Sequence, residues 1–537
     1  MGNGRPFPPL FHYLFSRPKG PRAMTWQPEI EKIRKRRAQA SALGGAEAVA
    51  RQHAQGRLTI RERIALLADK NSFQEHGMTA GGVDEDGKEF TPANYIVGVA
   101  QVGGRPAAIG GEDFTLRDGS PNEGGLRKSI YAEFLALKFQ IPLIRLLEGG
   151  GGSVGGTSKG KRGPKGDAPY AVPRFLSIAR ALGEIPVASA ALGAVAGFPA
   201  ARLAASHFSV MVKGTSQLLI AGPAVVERAL GVSLNKEELG GADIHLKSGA
   251  VDNGADNEED ALSQIRRFLS YLPQNIYELN SRRTCGDPAE RADDALLNIV
   301  PRERRKAYDM RKLIRHLVDH DTFFEMTALY GRSLITGLAR IDGHSVGIIA
   351  NDCRFYAGAM TTQAAHKHQR FIDMCNTFHL PIISLVDEPG FMIGPEAERE
   401  GAIRHGTAAV IATAQSRVPW CSVIVRKSFG VAATAHYGPN GTIFSWPSAE
   451  TGALPLEGGI AVAFRREIAD AENPEVKRAE LEASFIERLS PFPRAEDFSV
   501  QEIVDPRETR RMISEWLSLS VPLLARQLGP YTTTMRP

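Results

Sequence analysis

Two stretches of this chain set an acidic residue against glycine. One reads EGGGGSVGG from Glu148, the other DEPGFMIG from Asp387, and each follows a hydrophobic run containing a proline. A second pair of loops lies further on, LGAVAGFPA around Gly197 and VRKSFGVAAT around Gly430. Glycine at the end of a buried strand lets a substrate oxygen come close to backbone N–H groups. Two such donors aimed at one point form an oxyanion hole, which stabilises an enolate or tetrahedral oxygen in a dry site. Where the loop enters a helix, the first amides have no acceptor within that helix. A lone glycine pair does no more than turn a chain. Four such loops at matched places point to chemistry instead.

Other residue patterns exclude other chemistries. The four cysteines, Cys285, Cys353, Cys375 and Cys421, are scattered, so no metal site is expected. They read as free buried thiols in a reducing compartment, which places the protein in the cytoplasm. No apolar run reaches the ~18 residues that span a bilayer. A net charge of +5 over 537 residues does not call for nucleic acid. There is no phosphate-binding P-loop and no Met-Lys-Met biotinyl site. His405 in IRHG reads as a structural hydrogen-bonding histidine, and His366, Lys367 and His368 as the wet start of a helix.

The elements that must position these loops occur twice. VAQVGGRPAAIGGED (99–113) matches LARIDGHSVGIIAND (338–352), each a hairpin turning at Gly104 or Gly343. An amphipathic helix, Pro142 or Pro381, a buried apolar strand and the acid–glycine loop follow in both. Gly104 to Gly343, Pro142 to Pro381 and Glu148 to Asp387 are each 239 residues apart. Pro186 to Pro419 and Gly197 to Gly430 are each 233 apart. Two tandem α/β units follow, each a mostly parallel sheet with covering helices, joined by a polar connector near 281–308. Residues 1–23, rich in proline and without acid, are expected to be a disordered, dispensable extension ahead of Met24. The basic run KIRKRR at 32–37 is expected to be a solvated helix face.

Ordered blocks along 50–537 carry a resemblance to a family: RQHAQGRLTIRERI, EDFTLRDGS, FSVMVKGTSQLLIAGPAVV, EELGGADIH, LVDEPGF, IRHG, IVRKSFG, SWPSAE and FRREI. They resemble the carboxyltransferase (beta) subunit of biotin-dependent acyl-CoA carboxylases, such as propionyl-CoA carboxylase. The resemblance implies two tandem crotonase-like domains, 24–290 on the acyl-CoA side and 291–537 on the biotin side. It also implies a homo-oligomer, a hexamer, with active sites between subunits. Carboxybiotin would give its carboxyl group to the α-carbon of an acyl-CoA, with biotin held on a separate carrier and charged by a biotin carboxylase partner. Gly197, Phe198, Val431 and Ala432 would supply the oxygen holes. Gly150, Gly151, Gly152 and Thr434 would contact the acyl-CoA, and Gly390, Phe391 and Gly430 the biotin; no metal is implied.

This chain departs from the family where the holes lie. Phe198 and Val431 stand where glycine is usual, the first glycine loop lacks its arginine, and Thr434 replaces the usual acidic residue. Altered substrate size is the reading these changes favour. A biotin-coupled acyl-CoA decarboxylase and a catalytically weak scaffolding paralogue remain open alternatives.

Overall fold

The computed structural model describes residues 25–83, 89–150, 175–533 and 536. The expected extension over 1–23, and Gly151 and Gly152, lie outside the described residues.

Two eight-stranded sheets carry the fold. The first runs Gln74–His76, Tyr95–Val102, Arg105–Glu112, Leu143–Gly149, Val187–Ala196, Phe208–Val212, Asn253–Ala255. The second runs Phe324–Met326, Leu334–Ile341, His344–Asn351, Ile382–Glu388, Trp420–Phe429, Thr442–Ser445, Glu502–Ile503. In each, the opening hairpin is antiparallel and the later strands are parallel. A short strand sits off each path: Gln217–Leu219 beside Val187–Ala196, and Glu450–Gly452 beside Trp420–Phe429. The central strands read as continuous apolar runs because helices cover both faces.

The duplication extends to single backbone angles. Asn122 caps the helix Glu123–Phe139, and Thr361, 239 residues on, caps Thr362–Thr377. Those chain segments end in left-handed residues at the same offset, Gln140 (φ 50°) and His379 (φ 55°). Arg117 and Asp118 are left-handed, as are Tyr356 and Ala357. Even the register shift before Gly149 recurs before Glu388. The first unit also carries an inserted ribbon, Gly81–Val83 paired with Phe90–Pro92. It lies where the offset between the halves changes from 250 (Asp69 to Asp319) to 239. Within the connector the one helix among the described residues is Leu296–Ile299.

A lysine is buried at matching places on the two long helices. Lys128 donates to the carbonyl of Gly77 at 3.3 Å, and burial pushes its ammonium down to about 8. Lys367 donates to the carbonyls of Thr327, Tyr330 and Leu334 at 2.9, 3.1 and 2.7 Å, and burial pushes it down to about 7. His368 is buried as well, so the expected wet helix start is corrected to His366 alone. The physical reason is periodicity: 364, 365, 368, 371 and 372 form one inward stripe of this helix. By contrast Lys32, Arg34, Lys35 and Arg37 are exposed, and Arg36 lies over the Phe90 ring.

The two units share an aromatic seam. Phe208 stacks on Phe268 at 5.0 Å and meets Phe324 of the second sheet edge-on at 5.3 Å. Arg267 reaches across to the carbonyl of Phe323 at 2.9 Å, and Arg370 pairs with Asp252.

Each hairpin turn is tied down by one aspartate. Asp69 accepts from the amides of Gly103 (3.1 Å) and Gly104 (2.7 Å), and pairs with Arg266 at 2.9 Å. Asp319 accepts from Asp342 and Gly343, both at 2.8 Å, and pairs with Arg510 at 2.7 Å. The side chain of Arg510 is fully buried, whereas Asp69 and Arg266 are about a third exposed (32% and 37%). Asp319→Ala should therefore cost ~3–5 kcal/mol by taking the nearer of two carboxylates, the other being Asp287 at 3.7 Å, from a buried guanidinium. Asp69→Ala should cost only ~1 kcal/mol. Chemical denaturation of the two variants checks that ratio, and equal losses would refute it.

Candidate active site: two matched glycine loops

Both acids of the acid–glycine loops point inward. Glu148, fully buried at the end of Leu143–Gly149, accepts from Gln52 Nε2 at 2.7 Å and from Arg57 and Arg63 at 2.5 Å each. Arg63 in turn grips Glu258 through two bonds of 2.7 Å and donates to the Leu192 carbonyl at 3.1 Å. Burial disfavours that cation, but Glu258 and Glu148 outweigh it and hold the guanidinium above its ordinary range. Gly193 makes the room, since a Cβ there would meet Glu148 Oε1 at 2.3 Å. In the second unit Asp387 accepts from Tyr308 Oη and Arg426 Nη2, both at 3.0 Å, and from the Lys427 amide at 3.0 Å. A buried carboxylate needs such partners. Neither acid is left to face a ligand.

The glycines do the outward work. Val187–Ala196 runs into Gly197 (φ 64°, ψ −126°) and then the short helix Phe198–Ala204. Trp420–Phe429 runs into Gly430, also at φ 64°, and the turn Gly430–Ala433. The flanking strands Gln217–Leu219 and Glu450–Gly452 stand at the same 233-residue offset. At Gly197 this backbone is the left-handed one that side chains avoid. The two loops differ in one donor: Pro199 has no N–H, whereas Ala432, its counterpart, has one.

Phe198 is half-buried, edge-on to Phe175 at 5.6 Å, with the Arg202 guanidinium 4.3 Å from its ring centre. Arg202 is itself held by Glu133 at 3.0 Å. Val431 is 63% exposed, while Ala432 is buried. Thr434 is exposed and donates to the Val431 carbonyl at 2.6 Å, closing the turn. Gly150 donates to the Asp118 carbonyl at 3.4 Å. Gly390 (φ 134°) donates to Glu388 Oε1 at 3.0 Å and accepts from the Met360 amide at 3.1 Å. Phe391 packs on helix Ala402–Ala414, where a Cβ on Gly406 would meet its ring at 2.4 Å. His405, next to it, shares a 2.8 Å hydrogen bond with His366.

So Gly390, Phe391, Gly430, Val431, Ala432 and Thr434 share the carboxyl end of the second sheet. Gly150, Gly197 and Phe198 share that of the first. A cavity of about 550 Å³ at the seam is lined by His207, Lys367 and Arg370, and none of the glycine-loop residues lines it. Sequence reasoning missed a buried polar group behind the second loop: Glu388, His436, His368 and Ser384. Glu388 is pushed up to about 8 by burial, against hydrogen bonds from Gly390, Asn351 and Met360. Burial also pushes His436 down to about 4 and His368 down to about 3. The helical stripe through His368 was the available signal. Among the described residues no group of His, Cys, Asp and Glu is arranged to hold a metal ion, and no helix is long and apolar enough to cross a membrane.

Residues 51–524 match the carboxyl transferase domain family. The propionyl-CoA carboxylase carboxyltransferase subunit of Haloferax mediterranei is 34% identical over 505 residues, 92% of this chain and 96% of that one. The methylmalonyl-CoA decarboxylase subunit alpha of Veillonella parvula is 33% identical over 505 residues, again 92% and 96%. The crystal structure of transcarboxylase 12S, a hexamer with methylmalonyl-coenzyme A bound, superposes with a TM-score of 0.83 at 29% identity, covering 96% of this chain and 98% of its own. A single-chain, multi-domain long-chain acyl-CoA carboxylase superposes with a TM-score of 0.80 at 29% identity, over 91% of this chain and 48% of that one.

Gly193 tests whether the inward acid is structural. Gly193→Ala should destabilise by ~1–3 kcal/mol through overpacking against Glu148. Gly183→Ala, where a Cβ would meet nothing within 4 Å, should leave the melting temperature unchanged or raise it. Thermal unfolding of the two variants checks this, and a harmless Gly193→Ala would refute it.

Proposed function

Because the chain belongs to the carboxyl transferase domain family, is built as two crotonase-like domains and is an acyl-CoA carboxyltransferase, we propose a division of labour between its halves. The N-terminal domain, 24–290, takes the acyl-CoA thioester. The C-terminal domain, 291–537, takes biotin borne on a separate carrier chain, which a biotin carboxylase partner charges. The observation that carries this reading is the pair Gly197 and Gly430, with the same φ of 64° at the ends of matched strands.

The second loop has the open space such a ring would need. A Cβ at Gly390 would meet no atom within 4 Å, and one at Gly430 only the Ala453 carbonyl at 3.3 Å. When bound, carboxybiotin supplies the carboxyl group that reaches the α-carbon of the thioester. The chain itself contributes backbone donors: that at Phe198 for the thioester oxygen, beside Gly197, whose own amide is held by the Leu219 carbonyl at 3.3 Å, and those at Gly430, Val431 and Ala432 for the ureido oxygen. Preorganised amides of this kind stabilise developing oxygen charge without a side-chain acid or base. Gly150 lines the acyl-CoA side and Phe391 the biotin side. Thr434, spent on closing its own turn, shapes the acyl-chain pocket by size rather than by charge.

The two holes belong to different sheets, so we place the working site between subunits of a homo-oligomer, a hexamer. Apolar residues left exposed on the helix Pro223–Leu230, Val225 (59%) and Leu230 (74%), suit such an interface. The buried unpaired thiols of Cys353, Cys375 and Cys421 suit the cytoplasm. A second reading, acyl-CoA decarboxylation onto biotin, uses the same residues, and the decarboxylase relative supports it. A panel of acyl-CoA thioesters with biotin and labelled bicarbonate decides the substrate and direction. Carboxyl exchange with no substrate would refute both readings and favour the scaffolding paralogue.

Phe198→Gly should change acyl-CoA preference by more than ~10-fold in relative kcat/KM, one decade being ~1.4 kcal/mol, with biotin saturation unaltered. Val431→Gly should do the reverse, and its exposed side chain makes a change in melting temperature small. Substrate ratios and melting curves on both variants check this. Light scattering with assay at dilution should find activity only in the oligomer, and an active monomer would refute the shared site.

A further inference from the structure

The acid at the end of the second strand pair is doubled, and the second member has no counterpart in the first half. Glu388 stands where the N-terminal repeat has Gly149, 239 residues earlier. It is fully buried. Its Oε1 accepts from the amides of Gly390 at 3.0 Å and Met360 at 3.3 Å, which fixes the acid–glycine loop. Its Oε2 accepts from Asn351 Nδ2 at 3.0 Å and faces His436 Nε2 at 3.5 Å. That nitrogen is buried and has no hydrogen-bond partner. His436 ends the turn that starts at Gly430, and its other nitrogen meets Ser384 Oγ at 2.8 Å. Its carbonyl accepts from Trp420 Nε1 and Ser422 Oγ, both at 2.7 Å, so ring and backbone are held together.

We propose that Glu388 is a positioning residue for the C-terminal hole: as an undissociated acid it latches the acid–glycine loop to the turn carrying Gly430, through His436. The inference rests on the functional reading above only for which ligand that hole serves. In the arrangement proposed, His436 Nδ1–H donates to Ser384 Oγ and leaves Nε2 bare to receive the carboxyl proton. A hydroxyl at Oε2 can accept from Asn351 and donate to a bare imidazole nitrogen at once. A carboxylate there would add a buried negative charge beside Asp387, whose own charge is already committed to Arg426 and Tyr308. The other titratable group packed on His436 is His368, with ring centres 6.0 Å apart, and its neutrality keeps a competing cation out.

The pH sign follows from the two shifts. Glu388 is raised from 4.5 to about 8, so the native state keeps a proton that the unfolded chain has lost. That contribution is complete below 4.5, is lost as pH rises, and is gone above about 8. His436, lowered from 6.5 to about 4, acts in the opposite sense between those values. Of this pair, only Glu388 changes protonation between pH 6.5 and 8.

Hydrogen exchange on the full chain tests the latch without relying on activity. Glu388→Met is close in size and removes both the acceptor for the Gly390 and Met360 amides and the hydroxyl that faces His436, whereas Glu388→Gln would keep a donor toward His436. Protection in 389–392 and 430–437 should fall by about 10-fold, with 194–204 in the other half unchanged. Unchanged protection in both segments, or equal loss in 194–204, would overturn the proposal. If the variant does not fold, the unmutated protein decides. Its protection in the same segments, corrected for intrinsic exchange, should fall by about 10-fold as pH passes about 8, and a flat profile would overturn the proposal. In the carboxyl-transfer assay Glu388→Met should raise KM for free biotin by about 5-fold or more and leave KM for acyl-CoA unchanged. A matched rise in both would count against positioning. A protein that shows the exchange pattern but transfers no carboxyl group supports the latch and overturns the functional reading.

Discussion

A carboxylate at the end of a fully buried strand needs a cation or a proton, and the molecule is arranged around meeting that need. Glu148 meets it with Arg57 and Arg63, drawn from the helical segment before the first sheet. Asp387 meets it with Arg426 and the Tyr308 hydroxyl, drawn from the neighbouring strand and the connector. Each acid thereby pins the start of its glycine loop, and the loop in turn is free to present backbone to a ligand. Losing one partner would leave a charge in a medium that penalises it by several kcal/mol. The glycine loop after each acid is only as well placed as that inward pair.

The duplication and the α/β class were legible in the sequence, because proline, glycine and acid recur at fixed offsets that random drift would not keep. Hairpins turning at Gly104 and Gly343 were legible for the same reason. The four glycine loops were legible as a set, and the structure brings each half's pair to one sheet end. The destination of the acids was not. An acid beside glycine looks the same whether it faces a ligand or an arginine 85 positions earlier, and only the fold brings Arg63 to Glu148. Lys367 and His368 are buried, although a polar pair at a helix start resembles a solvated turn. The inward stripe through His368, and Lys128 at the 239-residue offset from Lys367, carry the signal in the sequence.

Divergence between the halves is concentrated where the ligands would differ. The first keeps a large buried salt-bridge network, Glu133 with Arg145 and Arg202, behind its Gly197 loop. The second has neutral groups in the comparable region, Ser384, His436 and His368. Phe198 leans on the charged network through Arg202, whereas Val431 stands clear of the neutral one. One backbone plan thus supports two electrostatic settings, and Pro199 against Ala432 adds a difference in donor count.

The aspartate clamps at the two hairpins bear on how the chain is made. Asp69 waits for Arg266, 197 residues later, and Asp319 waits for Arg510, 191 residues later. Each clamp closes on a helix near the end of its own unit, Glu258–Ser270 or Thr509–Ser520. The leading unit can therefore complete itself on the ribosome while its twin is still being translated. What it cannot do alone is cover Phe208 and Phe268, whose partner Phe324 emerges later. For that interval a nascent polypeptide shows an oily flank, the kind of surface that chaperones shield and that invites neighbouring chains to stick.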